Sequence, residues 1–134
     1  MAPIVDTNVM IDALNGVERA VETFRKHKGE EVSTTVINKY EFMRGLLSSK
    51  LSDIKKGEYT DFIDRFKLYD LTSRSVGFCS DVYFKLQSNG KLINELDMII
   101  LGMCVENDEL LITSDRDFDI AGRLVGVKVE FLQS

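Results

Sequence analysis

Strand-type and helix-type patterns alternate along the whole chain, and this alternation is the strongest constraint on its fold. Short apolar runs of strand type occur at residues 4–5, around Val32, in KLYDLTS (67–73), in ELLITSD (109–115) and in VKVEFL (127–132). Segments with apolar residues at helical spacing lie between them. Strands joined through helices make right-handed crossovers, so the order predicts an α/β sandwich with a five-stranded parallel sheet covered on both faces.

Apolar stripes and stop signals predict where the helices lie. We expect helices over residues 7–16 and 17–28, stopped by Gly16 and Gly29, another after the capping threonines of TTVINKYEFMRGLLSSK, and one from about Glu95 to Val105. The apolar stripe of the threonine-capped helix is Val36, Ile37, Tyr40, Met43 and Leu47. Two further helices have the stripes Tyr59, Phe62, Ile63 and Phe66, and Val76, Cys79, Tyr83 and Leu86 up to Gly90.

Length and composition indicate one folded domain over residues 1–134. The chain has 44% hydrophobic residues, 29% charged residues and a single proline, which is the composition of a globular protein. Cys79 and Cys104 occupy apolar helical positions, so we expect buried, reduced thiols and a cytoplasmic protein.

The longest apolar run, residues 98–105, falls far short of the roughly 20 residues that cross a bilayer, and the early acid at Asp6 does not suit a signal peptide.

The net charge restricts how the chain could contact nucleic acid. At −5, it argues against nonspecific binding through a basic footprint. A divalent metal held by surplus carboxylates could supply the missing positive charge. His27 is the only histidine, and its place in RKHKG suits an interaction with a helix dipole. Zinc sites and histidine-based triads are therefore improbable.

Two acids follow strands that we expect to be parallel. Asp6 ends the first strand in PIVDTNVMID, and Asp115 ends the fourth. Ligands of open α/β sheets collect at the carboxyl ends of the strands, so both acids could face one crevice. Asp6 could equally be a helix cap, and the acids of TSDRDF could belong to a simple turn.

Two further acids lie on predicted helices. Glu41 has Ile37 four residues before it and Gly45 four residues after it, which turns the carboxylate at least partly inward, although an exposed glutamate at the edge of the stripe is an equal alternative. Asp97 stands three residues after Asn94, where a capping role or an orientation towards the crevice would fit equally well.

Acids brought together in this way repel one another unless protons or a multivalent cation relieve the repulsion. Carboxylate oxygens select magnesium or manganese over zinc or copper. Such an ion polarises a phosphoryl oxygen and activates water, which is the chemistry of phosphodiester hydrolysis. Asp6 and the acids after the fourth strand are the best candidates for direct ligands.

The pattern resembles the PIN domain family, which contains small magnesium-dependent ribonucleases including the VapC-type toxins of toxin-antitoxin pairs. IVDTNVMIDAL matches the opening motif, STTVINKYEFMRG the helix with the glutamate, NELDMIILGMC the helix with the third acid, and ELLITSDRDF the fourth motif. The likeness covers essentially the whole chain and implies a three-layer sandwich. In the third motif Ile99, Ile100, Leu101 and Gly102 replace the usual small residues.

The resemblance also implies a site and an activity. Asp6, Glu41, Asp97 and Asp115 would hold one or two Mg²⁺ ions, which Mn²⁺ could replace. The shorter spacing of the fourth motif leaves Asp117 as an alternative to Asp115, which we favour. Thr7, Asn8 and Ser114 would support the acids through hydrogen bonds. Metal-activated water would cleave single-stranded or looped RNA, approached past basic residues that include Lys39, Arg44, Arg74, Lys91 and Arg116.

Partners and alternatives follow from the same likeness. A toxin would need a small antitoxin protein and would form a homodimer, for which Tyr59, Phe62, Ile63 and Phe66 could serve if they are not core. The chief alternative is a PIN-like scaffold that binds RNA or assembles without catalysis. A phosphotransfer receiver needs a lysine near the end of a late strand, whereas Lys128 lies at the start of the last one, and the glycine motifs of dinucleotide-binding and P-loop proteins do not occur.

Overall fold

A computed structural model describes residues 2–133 and contains a five-stranded parallel sheet. The strands are β1 (Ile4–Val5), β2 (Ser33–Thr35), β3 (Lys67–Tyr69), β4 (Leu111–Thr113) and β5 (Val129–Phe131), arranged in the order β3-β2-β1-β4-β5. In the central strand, Ile4 is in register with Ser33 on one side and with Leu111 on the other. The predicted α/β class and parallel sheet are confirmed.

Helices separate all of the strands along the chain. They are α1 (Thr7–Leu14), α2 (Glu18–Lys26), α3 (Val36–Ser48), α4 (Asp53–Ile63), α5 (Ser73–Ser88), α6 (Glu95–Asn107) and α7 (Arg116–Leu124). The sequence patterns give no bounds for helix α7, because the acids of TSDRDF also suit a turn. Asp115 caps that helix by accepting a hydrogen bond from the Asp117 N–H at 2.9 Å, so the acids of the presumed turn form the start of a helix.

Alternate side chains of the central strands enter two separate cores. Ile4 and Leu111 pack with residues of α5, α6 and α7, whereas Val5 and Ile112 pack on the other face with residues of α1, α3 and α4. The central strands β1 and β4 are buried on both faces, as expected of a parallel sheet covered by helices. The resulting three-layer sandwich matches the predicted architecture.

The buried face of α3 differs from the predicted apolar stripe. Tyr40 and Leu47 are 55% and 71% exposed, while the buried line runs through Asn38, Phe42 and Leu46. The apolar pattern predicted the wrong face of α3, because the buried face begins with a polar residue, Asn38. The Asn38 side chain is satisfied there by hydrogen bonds to neighbouring side chains. Glu41 therefore lies beside the buried face.

The predicted stripe of α5 is likewise only partly buried. Val76 is 61% exposed, whereas Ser75, Val82 and Leu86 face inward. Again the inward line begins with a polar residue, since the Ser75 hydroxyl donates to Glu106 at 2.7 Å. A stripe counted from apolar residues alone misses such a start.

The aromatic residues around α4 belong to the core. Ile63 and Phe66 are 2% and 9% exposed, and Phe62 and Phe66 make an edge-to-face contact with 5.2 Å between ring centroids. Phe24 of α2 completes the group, with its ring centroid 6.0 Å from that of Phe62. These side chains therefore fill the space between α2 and α4.

Helix α6 packs tightly against α5 at Gly102. A Cβ atom at this position would lie 2.6 Å from the Cys79 Cα, which is closer than any methyl group can approach. The neighbouring Ile100 and Leu101 are completely buried. The bulkier third motif is thus accommodated by one glycine at the helix crossing. No helix in residues 2–133 is both long and apolar enough to span a membrane.

Candidate metal centre

Asp6 lies at the carboxyl end of β1 and is both a helix cap and a wall of a cavity. Its carboxylate is 4% exposed and accepts a hydrogen bond from the Thr7 N–H at 2.8 Å, the first N–H of α1. It also accepts from the Thr113 hydroxyl at 2.7 Å and from the Asn38 amide nitrogen at 3.2 Å. These donors, drawn from α1, α3 and β4, fix the carboxylate where three elements meet.

Glu41 reaches the same place from the middle of α3. Its Oε1 accepts a hydrogen bond from the Thr7 hydroxyl at 3.0 Å, and the residue is half-buried. The inward orientation expected from Ile37 and Gly45 is therefore present. Thr7 thus binds two acids, because its backbone N–H contacts Asp6 and its hydroxyl contacts Glu41.

Asp97 stands in the first turn of α6, but it is not the cap of that helix. Asn94 is the cap, and its side-chain oxygen accepts from the Leu96 N–H at 2.9 Å. A capping box would need the Asp97 carboxylate to accept from the Asn94 N–H, and among residues 2–133 no such hydrogen bond forms. The half-buried Asp97 side chain lines the cavity beside Asp6.

Asp115 follows β4 and completes the cavity wall. The N–H of Asp115 donates to the Thr113 hydroxyl at 3.0 Å, while that hydroxyl donates to Asp6. Asp117 lies two residues further on, is exposed and does not line the cavity. The cavity wall thus contains Asp115 and not Asp117, and the assignment of Asp115 as the fourth ligand stays a prediction.

The cavity has a volume of about 430 Å³ and opens at the carboxyl edge of the sheet. Four elements from remote parts of the chain contribute an acid each, as the strand order of a parallel sheet requires. The residues that line it are Asp6, Thr7, Asn8, Ile11, Glu41, Arg44, Asn94, Leu96, Asp97, Asp115 and Phe118.

Two acids of the cavity, Asp6 and Asp97, hold protons more tightly than ordinary carboxyls do. Burial raises the pKa of Asp6 to about 6, with repulsion from Glu41 and Asp115 adding to it, although hydrogen bonds from Thr113 and Thr7 act in the opposite direction. Burial also raises the pKa of Asp97 to about 7, and the charges of the surrounding acids, first of all Asp6, raise it further. A cation in the cavity would remove this repulsion.

The acids that line the cavity suit a hard divalent cation by their chemistry, but less well by the distances between them. All of the acidic side chains offer oxygen, which magnesium and manganese prefer. Within residues 2–133, however, no three acidic, histidine or cysteine side chains lie close enough together to hold a metal ion jointly. The acids therefore share a cavity without converging on one point.

Comparison with known families decides the classification. The family model for the PIN domain matches residues 4–124 of the chain. The chain belongs to the PIN domain family. Proteins of this family are generally nucleases and typically use divalent metals. The search against curated proteins gave no match.

Solved structures with the fold of this PIN domain include toxin-antitoxin complexes. VapBC2 from Rickettsia felis, bound to a promoter DNA fragment, has a TM-score of 0.84 at 19% identity and 98% coverage of both chains. DNA-bound VapBC from Salmonella typhimurium has a TM-score of 0.82 at 20% identity, with 98% of this chain and 99% of that chain covered. FitAcB from Neisseria gonorrhoeae has a TM-score of 0.79 at 19% identity and 94% coverage of both. This PIN domain therefore resembles the toxins of such systems in its fold.

The basic residues expected around the site are widely distributed on the PIN domain. Among residues 2–133, Arg44 is the only basic residue that lines the cavity. Lys39 forms an ion pair with Asp64 at 3.3 Å. The guanidinium groups of Arg74 and Arg116 lie over the rings of Phe78 and Phe131, at 5.6 Å and 5.3 Å from the ring centroids.

Sequence reasoning missed two polar residues that contact the acids of this PIN domain. Thr113, the last residue of β4, donates to Asp6, whereas we had assigned the supporting hydroxyl to Ser114. Asn38 donates to Asp6 and was not singled out at all. Its position one helical turn before Glu41 was the available signal, since residues three apart lie on neighbouring parts of a helix surface.

Proposed function

We propose that this PIN domain is a metal-dependent endoribonuclease and the toxin of a VapBC-type pair. The observation that carries the proposal is the shared cavity at the carboxyl edge of the sheet, around which lie two acids that follow β1 and β4 and two acids on α3 and α6. Membership of a family of nucleases agrees with this assignment. A cavity walled by mutually repelling carboxylates is suited to holding a cation.

Asp6, Glu41, Asp97 and Asp115 would be the ligands of Mg²⁺, which Mn²⁺ could replace. When bound, the ion supplies Lewis-acid stabilisation of the phosphate and lowers the pKa of a water molecule. Asp6 is held rigidly by three donors. The half-buried acids Glu41, Asp97 and Asp115 would have to turn towards it to share one ion. Phosphodiester cleavage in such a site needs no covalent intermediate with the protein.

RNA would approach the cavity past Arg44. Because the chain carries a net charge of −5, attraction of a phosphate backbone cannot come from the protein surface as a whole. A guanidinium at the rim and a bound divalent cation would act together on neighbouring phosphates. Single strands and loops are the suitable substrates, since their backbone can enter a cavity of this size.

A small antitoxin protein is the partner that we propose for this chain. The matched structures from Rickettsia felis and Salmonella typhimurium are VapBC complexes. Beside the acidic cavity lies an apolar groove of about 250 Å³, and Ile11 lines both. A segment of the partner in that groove would also cover the mouth of the cavity.

The free thiols of Cys79 and Cys104 agree with the reducing cytoplasm that we expect for such a pair.

A homodimer remains part of the proposal, with a different surface from the one first considered. Ile63 and Phe66 are buried in the core, and Tyr59 and Phe62 pack against it while remaining partly exposed, so little of this set is left for an interface. Val76 and Phe84 on α5 are 61% and 64% exposed and lie eight residues apart on one side of the helix. Light scattering of the purified protein would measure the oligomeric state.

The proposal is tested by incubating the protein with total RNA in Mg²⁺, in Mn²⁺ and in EDTA. We expect discrete fragments with either metal and none with the chelator. Asp97→Asn should remove cleavage and keep the fold, because Asn94 and not Asp97 caps α6. Fragments that persist in EDTA would contradict a metal-dependent reaction. RNA binding that is equal with and without metal, and never accompanied by shortening of the RNA, would favour a PIN-like scaffold instead.

A further inference from the structure

Asn38 connects two acids of the cavity, although its own side chain is completely buried. It lies in the first turn of α3, one turn before Glu41. The side-chain oxygen accepts from the Thr35 hydroxyl at 2.8 Å, while the amide nitrogen lies 3.2 Å from Asp6 Oδ1 and 3.0 Å from Thr7 Oγ1. A carboxylate only accepts hydrogen bonds, so the amide nitrogen must face Asp6.

The hydrogen bonds around Asp6 leave it one free direction. Oδ1 accepts from both the Thr7 N–H and the Asn38 amide, and Oδ2 accepts from the Thr113 hydroxyl. Each carboxylate oxygen has about two acceptor positions. Both positions of Oδ1 are therefore filled, and one position of Oδ2 remains. Without the Asn38 amide, Oδ1 would also have a free position, and the carboxylate could bind in more than one way.

The same amide determines the direction of the Thr7 hydroxyl. Thr7 Oγ1 accepts from Asn38, and its own hydrogen is then available for Glu41 Oε1 at 3.0 Å. A chain of donors thus runs from Thr35 through Asn38 and Thr7 to Glu41. Every member is at least partly buried, so water competes little for these bonds.

We propose that Asn38 is the positioning residue of this site and sets which oxygens of Asp6 and Glu41 are presented to a divalent cation. This inference rests on the proposed function, because it assumes that these acids bind a metal. The competing explanation is that Asn38 only stabilises the start of α3, where its backbone N–H bonds to Thr35 Oγ1 at 3.1 Å. The two explanations differ in what they predict for metal affinity.

The experiment measures Mn²⁺ binding by calorimetry, without RNA, for the wild-type chain and for Asn38→Leu. Leucine has nearly the shape of asparagine but donates no hydrogen bond. We expect the affinity for Mn²⁺ to fall about 10- to 100-fold, the usual effect of removing a hydrogen-bond partner of a metal ligand. If Asn38→Leu does not fold, Asn38→Ser takes its place, with the same expected direction.

Thr34→Val is the matched control. Thr34 is also completely buried and loses one hydrogen bond, the 2.9 Å bond from its hydroxyl to the Val5 carbonyl, but it contacts none of the acids. Its Mn²⁺ affinity should stay within about twofold of wild type, as expected of an independent site. Equal affinity in the Asn38 variant and wild type, or an equal loss in Thr34→Val, would overturn the positioning role. A wild-type chain that binds no Mn²⁺ would overturn the proposed function itself.

Discussion

Carboxylates occupy two contrasting regions of this PIN domain. In the acidic cavity, Asp6 and Asp97 face other acids. In a second region, which we call the histidine cluster, Glu30 and Glu130 face His27, with Nδ1 at 2.6 Å from Glu30 Oε2 and Nε2 at 3.1 Å from Glu130 Oε1. The first region lies at the carboxyl edge of the sheet, and the second joins the end of α2 to β5.

The difference shows what each region contributes. The histidine cluster pairs its acids with a titratable base, so it stabilises the contact between α2 and the sheet. Within residues 2–133 no base forms an ion pair with the acids of the cavity, and burial, together with repulsion between the acids, raises the pKa of Asp6 and Asp97. Buried acids without a paired base lower the stability of the fold, and this cost is typical of a site that binds a cation.

The largest expected effect concerns the fourth acid of the cavity. Asp115→Asn should reduce RNA cleavage by on the order of 100-fold, since even the hydrogen-bond partners of metal ligands are worth 10- to 100-fold. Asparagine caps helices as well as aspartate does, so α7 should persist. Asp117→Asn is the matched control, because Asp117 is exposed and outside the cavity lining. Loss in Asp117→Asn with activity kept in Asp115→Asn would move the fourth ligand to Asp117.

A second prediction concerns the cost of repulsion in the cavity. Asp97 has a pKa raised from 3.8 to about 7, so between these values the folded protein binds more protons than the unfolded chain does. The free energy of unfolding should therefore fall as the pH rises from about 4 to about 7. In EDTA at pH 8, Asp97→Asn should be more stable than wild type by on the order of 1 kcal/mol, after allowance for its partial exposure.

Urea unfolding at pH 5 and pH 8 would measure this difference. At pH 5 the gain should be smaller, and it should vanish towards pH 3.8, because the carboxyl is then protonated in the unfolded chain as well as in the folded protein. Asp117→Asn should change stability little at either pH, as an exposed acid outside the cavity. A destabilised Asp97→Asn at pH 8 would show that the acids of the cavity do not repel one another as we infer.

The histidine cluster should give a pH dependence in a higher window. Burial lowers the pKa of His27, but the hydrogen bonds that its ring donates to Glu30 and Glu130 outweigh this and raise it above 6.5. Its stabilisation is then complete below pH 6.5 and is lost as the pH rises through the folded pKa. We expect His27→Gln to cost on the order of 1 kcal/mol at pH 6 and less at pH 9. A cost independent of pH would mean that the imidazole acts only by packing.

The sequence predicted most of the fold because the relevant signals are local. Alternating strand and helix patterns, the glycine stops and the capping threonine before α3 determine the order of elements, and the order of elements largely determines a parallel sheet. Asp6 and Asp115 were found for the same reason, since each follows a strand. The motif likeness located Glu41 and Asp97 on their helices.

What the sequence did not predict depends on polar groups that are buried. Asn38 and Ser75 begin the inward faces of α3 and α5, and a search for apolar stripes discards such residues. Their burial is tolerated only because partners from elsewhere in the chain satisfy them, as Glu106 does for Ser75. Thr113 was overlooked likewise, because only the register of β4 against β1 shows that its hydroxyl reaches Asp6.

The smallest predicted effect concerns Arg44, the one basic side chain among residues 2–133 that lines the cavity. Arg44 lies with its guanidinium 5.0 Å from the centroid of the exposed Tyr40 ring, and among residues 2–133 it forms no ion pair with the acids around it. It is therefore available for a phosphate of the RNA. Arg44→Ala should raise KM about threefold to tenfold, equivalent to roughly 1 kcal/mol, and leave kcat unchanged, because it removes binding common to substrate and transition state.

Arg74→Ala provides the matched control for this prediction, since Arg74 also lies over an aromatic ring, that of Phe78, but does not line the cavity. Its KM should equal that of wild type. The difference between the two variants should shrink as the salt concentration rises, because screening weakens contacts between exposed charges and phosphates. Equal KM values at low salt would mean that Arg44 does not contribute to binding and that a bound metal alone attracts RNA to the cavity. The acidic cavity would then differ from the histidine cluster only in binding a metal ion.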